Sequence, residues 1–270
     1  MTTVLDQHLN VSAWLPELAK QHPDALAVAV ARSPNKYQTL SASQLDHYCD
    51  RVAHGLVDAG ITKGTRTVVM VKPSSEFFAI TFALFKIGAI PVMVDPGMGI
   101  RNLGTCLRDA DPAAFIGTPR AHVARRLCGW AKDSLETIIT VGTRFLWGGH
   151  RLDRLCQHAN RGSFELTPTE ADQTAAILFT SGSTGTPKGV LYTHANFAAQ
   201  VESLRATYKI QPGDIDLSTF PLFSLFGPAL GMTCIVPFMD TSRPGTANPQ
   251  HLTDAIQRFS CTSMFASPML

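Results

Sequence analysis

Charge is scarce in this sequence. Asp, Glu, Lys and Arg make up 16% of its 270 residues, against ~25% in an average soluble domain. The 23 basic and 21 acidic side chains leave a net charge of +2, too balanced for the strongly basic field of a nucleic-acid-binding domain. No nucleic-acid partner is expected. With 45% hydrophobic residues, the chain is also not a disordered one, which needs low hydrophobicity and high net charge. Long apolar runs are missing as well. The densest, Phe77 to Phe85, contains Thr81, whereas a membrane-spanning helix needs ~20 residues, so no transmembrane segment is expected. The first residues include Asp6 and His8 and have no basic head, unlike a signal peptide. The six cysteines (Cys49, Cys106, Cys128, Cys156, Cys234 and Cys261) show no C-x-x-C and no partner histidines at zinc spacing. They read as reduced, mostly buried thiols in a cytoplasmic protein.

What is present is an alternation of helical and strand patterns. Ser41 or Ser43 can cap a helix that places Leu45, Tyr48, Cys49, Val52, Leu56 and Val57 on one face and stops at Gly60. Strand Thr67 to Val71 follows, then a helix capped by Ser74 and closed by Gly88, strand Ile90 to Val94, and a turn at Asp95-Pro96-Gly97. Helix 101–110, a strand near Phe115, a helix through Leu127 and strand Thr137 to Val141 continue the pattern. Short, continuously apolar strands separated by helices indicate a parallel sheet buried on both faces. The text turns polar from Arg161 to Asp172, which marks a linker. Beyond it come strand Ala175 to Thr180, strand Val190 to Tyr192, helix Ala195 to Tyr208, strands Ile215 to Phe220 and Cys234 to Phe238, helix Pro249 to Phe259 and an apolar stretch at Met264-Phe265. The expected fold class is α/β, with two doubly wound βαβ subdomains. Residues 1–165 form the first and 166–270 the start of the second, which stops at Pro268-Met269-Leu270 without a polar cap and is expected to be incomplete.

The strongest motif is Thr180-Ser181-Gly182-Ser183-Thr184-Gly185-Thr186-Pro187-Lys188-Gly189. Glycines allow backbone N–H groups to approach an anion, the hydroxyls of Thr180, Ser181, Ser183 and Thr184 can donate to phosphate oxygens, and Lys188 adds positive charge. It is not a Walker A loop. Counting from Gly182, Pro187 stands where the second glycine belongs, and Gly189 rather than Ser or Thr follows Lys188. Pro187 and Gly189 disfavour a helix start, so the loop is expected between two strands, without the helix dipole that P-loop proteins use.

Phe179 to Gly189 resembles the phosphate loop of the adenylate-forming enzymes, the superfamily of acyl-CoA synthetases, peptide-synthetase adenylation domains and firefly luciferase. Phe85 to Pro96, Gly189-Val190 with Thr193-His194, and Phe220 to Gly227 resemble further segments of that family. The resemblance implies an N-terminal domain of such an enzyme, using ATP and Mg²⁺ to convert a carboxylic acid with an apolar chain into acyl-AMP and pyrophosphate. It implies ATP or AMP contacts at Thr180, Ser181, Gly182, Ser183, Thr184, Gly185 and Lys188, with Thr184 near Mg²⁺. It places Phe223, Ser224, Phe226 and Gly227 near the acyl group. No catalytic residue is assigned, because the family's Thr-Glu pair, its ribose-binding aspartate and its C-terminal lid domain with a catalytic lysine correspond to sequence beyond position 270. The expectation is therefore a fragment that does not adenylate alone and whose partner is the C-terminal half.

One departure narrows the subfamily. Many acyl-CoA synthetases carry His where Ser224 stands, and a hydroxyl cannot supply a charge that switches near neutral pH. The text around it (Phe77-Phe78, Val94 to Gly97, Trp147 to Gly149 and Phe223 to Gly227) most resembles the β-lactone synthetases of bacterial long-chain olefin biosynthesis. There an adenylated β-hydroxy acid closes on itself with loss of AMP. A fatty-acyl-CoA ligase and a non-catalytic nucleotide-binding scaffold are the alternatives. His194 reads as a structural residue at a helix start capped by Thr193, Lys86 as a cation at a helix C-terminus, and Arg125-Arg126 as a solvated basic pair.

Overall fold

A computed structural model describes residues 10–94, 99–159, 161–180, 187–220 and 222–270. The chain divides into two compact units that are interleaved along the sequence rather than separated at 165/166.

The first unit comprises residues 1–13, 48–72 and 79–197. Its sheet has seven strands: β3 (Arg66–Met70), β4 (Ile90–Val94), β5 (Ala114–Gly117), β6 (Thr137–Thr140), β7 (His150–Arg151), β8 (Thr174–Thr180) and β9 (Lys188–Thr193). Their order is β7-β6-β5-β3-β4-β8-β9, parallel throughout except for the antiparallel β8–β9 pair. Continuous apolar strands are buried here as the pattern requires. Val68, Val92, Phe115, Ile177 and Phe179 meet Leu103 and Leu107 of helix α4 (Ile100–Ala110) in one core. Helix α3 (Ser75–Ile87) begins where Ser74 Oγ accepts the Phe77 N–H at 3.3 Å. It ends at Gly88, whose φ of +72° few residues other than glycine adopt. Helix α5 (Pro119–Cys128) is capped by Thr118 and closed by Gly129, and α6 (Leu152–His158) follows β7.

The second unit comprises residues 14–47, 73–78 and 198–270. It holds helix α1 (Trp14–Gln21) and a five-stranded sheet of β1 (Leu26–Ser33), β2 (Lys36–Ser41), β10 (Ile215–Ser218), β11 (Thr233–Val236) and β12 (Ser263–Phe265). The order is β12-β10-β11-β1-β2, with only β1 and β2 antiparallel. Ala29, Leu217 and Ile235 of adjacent strands pack with Ala255 of helix α9 (Pro249–Phe259). Helix α2 (Ala42–Asp58) opens with a reciprocal cap: Ser41 Oγ accepts the Gln44 N–H, and Gln44 Oε1 accepts the Ser41 N–H. Helix α7 (His194–Tyr208) starts likewise at Thr193 and Asn196.

The structure goes beyond the sequence reading at three places. Ahead of the helix capped at Ser41 lie α1, β1 and β2, which the sequence pattern leaves unassigned, and β1 joins the second sheet by pairing with β11 some two hundred residues later. Lys86 stands in the last turn of α3, as the sequence indicates. It is buried, with Nζ 2.5 Å from Asp50 Oδ1. Arg125 is half-buried, its guanidinium 5.7 Å from the centre of the Phe115 ring. The expected turn at Asp95 to Gly97 lies outside the described residues.

Candidate functional site

Strands β8 and β9 bring the two ends of the phosphate motif together. Their register sets Thr180 opposite Lys188, Phe179 opposite Gly189 and Leu178 opposite Val190. The motif thus connects two antiparallel strands, with no helix starting at its end. A Cβ on Gly189 would come within 3.0 Å of the Phe179 ring, so glycine there lets the aromatic lie across the hairpin. In the same sheet Phe179 is in register with Val94 of β4, and the connection leaves from the carboxyl ends of the parallel strands, the edge at which open α/β sheets bind ligands. Lys188 is exposed. Ser181, Gly182, Ser183, Thr184 and Gly185 lie outside the described residues, as does the side chain of Thr180. Among the described residues, no group of three or more His, Cys, Asp or Glu could hold a metal ion.

His194 follows the hairpin and is buried. Its Nδ1 accepts the backbone N–H of Val11 at 3.2 Å, and burial, reinforced by the nearby Lys63 charge, pushes its pKa down to about 4. An imidazole held neutral and used as a backbone acceptor pins the segment around Val11.

The second unit presents the expected acyl segment beyond β10. Phe223–Phe226 forms a 3-10 turn and Gly227–Leu230 a short helix, α8. Ser224 is buried at 1% exposure, and its carbonyl accepts the Gly227 N–H and, at 3.4 Å, the Cys234 thiol. Gly227 is buried too, and a Cβ there would collide with Cys234 Sγ. Phe226 packs on the cluster of Val201, Ile210, Leu230 and Met232. Phe223 stacks face to face on Phe265 of β12, with centroids 4.0 Å apart and planes 7° from parallel. Phe220 lies 6.1 Å from the same Phe265 ring. Phe220, Phe223 and Phe265 therefore form a partly exposed aromatic cluster beyond the carboxyl end of β10. Sequence reasoning noted Phe265 only as part of an apolar stretch. Its signal was an aromatic at the last position of a short strand.

Buried beside this turn is Asp216, whose carboxylate accepts from Ser218 Oγ, Ser263 Oγ and the Phe265 N–H, tying β10 to β12. The cysteines carry no disulfide and are free. Cys49, Cys106 and Cys234 are buried, Cys128 is exposed, and burial raises the pKa of Cys234 to about 12, which leaves it an inert packing thiol.

A glycine- and hydroxyl-rich segment joining two paired strands at the carboxyl edge of a mostly parallel sheet is an arrangement suited to anion binding. The sequence model for the AMP-binding enzymes matches residues 15–270, so the chain belongs to that family. It is 50% identical over 267 residues to an olefin β-lactone synthetase of Xanthomonas campestris pv. campestris, covering 97% of this chain and 48% of that protein. It is 48% identical to an olefin β-lactone synthetase of Stenotrophomonas maltophilia, covering 98% and 49%. The chain thus spans about half the length of these relatives. In structure it is similar to an anthranilate CoA ligase solved with anthranoyl-AMP, at a TM-score of 0.83 and 18% identity, over 98% of this chain and 51% of that one. A long-chain-fatty-acid-CoA ligase from Archaeoglobus fulgidus gives a TM-score of 0.83 at 20% identity, over 98% and 53%. The α/β fold expected from the sequence is that of adenylate-forming N-terminal domains. No helix among the described residues is long and apolar enough to cross a membrane.

Proposed function

We propose that the full-length protein activates a long-chain β-hydroxy carboxylic acid with ATP and closes it to a β-lactone. In the first step a carboxylate oxygen attacks the α-phosphorus of ATP, the bond to the bridging oxygen breaks, and acyl-AMP and pyrophosphate form. In the second, the substrate's own β-hydroxyl oxygen attacks the acyl carbon, the hydroxyl proton departs, and the carbon–oxygen bond to the phosphate breaks, releasing AMP. The first displacement depends mainly on alignment and charge neutralisation. The second needs no acceptor thiol.

The observation that carries this reading is the 50% identity to an olefin β-lactone synthetase across nearly the whole chain. The residues present support their proposed parts. Thr180 to Gly185 supply hydroxyls and backbone donors for the outer phosphates, and Lys188 supplies a cation at the mouth of the hairpin. Mg²⁺ enters with ATP as part of the substrate, and Thr184 is the residue proposed to stand near it. Phe223 and Phe226 offer apolar surface to the acyl chain, while Ser224 and Gly227, both buried, hold the turn in shape. The cytoplasm is the proposed compartment, in keeping with six free thiols.

Carboxylate-dependent exchange of labelled pyrophosphate into ATP by the full-length protein tests the first step. Exchange stimulated by long β-hydroxy acids supports the reading, and its absence with every acid tried removes it. A fatty-acyl-CoA ligase shares this first step and differs in consuming coenzyme A.

A further inference from the structure

Two touching segments of the first unit carry exposed apolar side chains and unbalanced positive charge. The segments Thr118 to Lys132 and Thr140 to Arg151 hold four and two Lys or Arg, respectively, and no Asp or Glu, in a chain whose total charge is nearly balanced. The two segments are in contact. Trp147 stacks on buried His122 of α5, with centroids 5.4 Å apart and planes 16° from parallel, and its Nε1 donates to Thr140 Oγ1 at 2.9 Å. Gly142 faces Pro119 at the start of α5. This bracing holds the β6–β7 loop against the helix.

The bracing leaves the apolar tip of the loop in solvent. Phe145 is 68% and Leu146 86% exposed, and on α5 Leu127 is 82% exposed. Arg120, Val123 and Leu127 fall at i, i+3 and i+7, on one face of α5. Arg126 adjoins them, and Arg144 precedes Phe145. Arg151 pairs with Asp153. Arg120, Arg126 and Arg144 have no carboxylate partner among the described residues. Leu and Phe beside arginines, on a short helix and a loop tip, suit the boundary between lipid headgroups and acyl chains. There the apolar side chains enter the bilayer surface and the guanidiniums meet phosphates.

We infer that the α5 face and the Phe145-Leu146 loop dock the protein on an anionic lipid surface. The occupant is a membrane, because the cations find their complement in acidic headgroups and the exposed Phe and Leu find theirs just beneath. This inference does not depend on the proposed chemistry.

Co-sedimentation with vesicles of phosphatidylcholine, with and without phosphatidylglycerol, tests it. The protein is expected to bind the phosphatidylglycerol vesicles about tenfold better or more, and to lose that preference in high salt. The Phe145→Ser/Leu146→Ser pair and the Arg120→Glu/Arg126→Glu pair should each lower binding by about tenfold. Melting temperature should hold, since all four side chains are exposed. Equal binding to both vesicle types, absence of binding, or variants that bind like the parent protein would overturn the assignment. So would a change in oligomeric state on Phe145→Ser/Leu146→Ser with vesicle binding unaltered, because the patch would then be a protein contact.

Discussion

Lys86 and Asp50 form an ion pair inside the first unit, with Nζ 2.5 Å from Oδ1 and side chains only 1% and 3% exposed. It joins the last turn of α3 to α2, and the Lys86 carbonyl also accepts the Thr167 N–H. Two charges so far from water are costly unless paired. Removing one side chain breaks the pair, at a cost of ~3–5 kcal/mol, whereas replacing both by apolar residues is often neutral. Lys86→Met and Asp50→Leu should each cost that much in urea unfolding, and the double variant should recover most of the loss. Additive losses would show that the two residues act separately.

His122 and His194 give the protein an acid weakness. Burial holds both near a pKa of about 4, below the ordinary 6.5. His122 Nε2 lies 3.0 Å from the Ile139 carbonyl, and His194 Nδ1 accepts from Val11. A folded pKa below the unfolded one means that the unfolded chain binds more protons between pH 6.5 and 4. Stability therefore falls as pH falls through that window, by about 2 kcal/mol per histidine between pH 7 and 5. Urea unfolding at the two pH values should show this loss, and His194→Gln should remove one histidine's share of it. A stability that stays flat from pH 7 to 5 would contradict the burial argument.

Gly227 is required by space rather than by its backbone angle, since φ is −49°. Gly227→Ala drives a methyl into Cys234 Sγ and should destabilise by about 1–3 kcal/mol. Adding Cys234→Ala removes the obstructing sulfur and should restore a good part of it. If the second change brings no recovery, the collision is not what fixes the turn.

Lys188 is exposed and faces Thr180 across the hairpin, so Lys188→Ala should leave the melting temperature alone. In the full-length protein it should lower ATP-dependent activity by roughly a hundredfold, the scale of losing one charged donor to a developing anion. Unchanged activity would retire the phosphate assignment and favour a scaffold role.

How far the sequence disclosed this molecule depends on how local each signal was. Helix α9 and strand β4 are bounded as their patterns indicate, because caps and short apolar runs act within a few residues. The β1–β2 hairpin was passed over: Leu26–Ser33 reads as a modest Ala/Val run, and the reason for its burial is β11, far along the chain. The interleaving of the units was hidden for the same reason. Lys86 is legible as a helix-end cation, but its burial against Asp50 is not, because that partner lies 36 residues away. The phosphate motif was legible from residue types alone, since glycine, hydroxyl and lysine chemistry needs no distant partner. The Phe223–Phe265 stack required the β10–β12 pairing to be known.

The most direct measurement is mass spectrometry of the products formed by full-length protein from ATP and a long-chain β-hydroxy acid, with coenzyme A present. The account predicts the acid minus one water, as a β-lactone, together with AMP and pyrophosphate, with coenzyme A unconsumed. An acyl-CoA thioester in place of the lactone would contradict it.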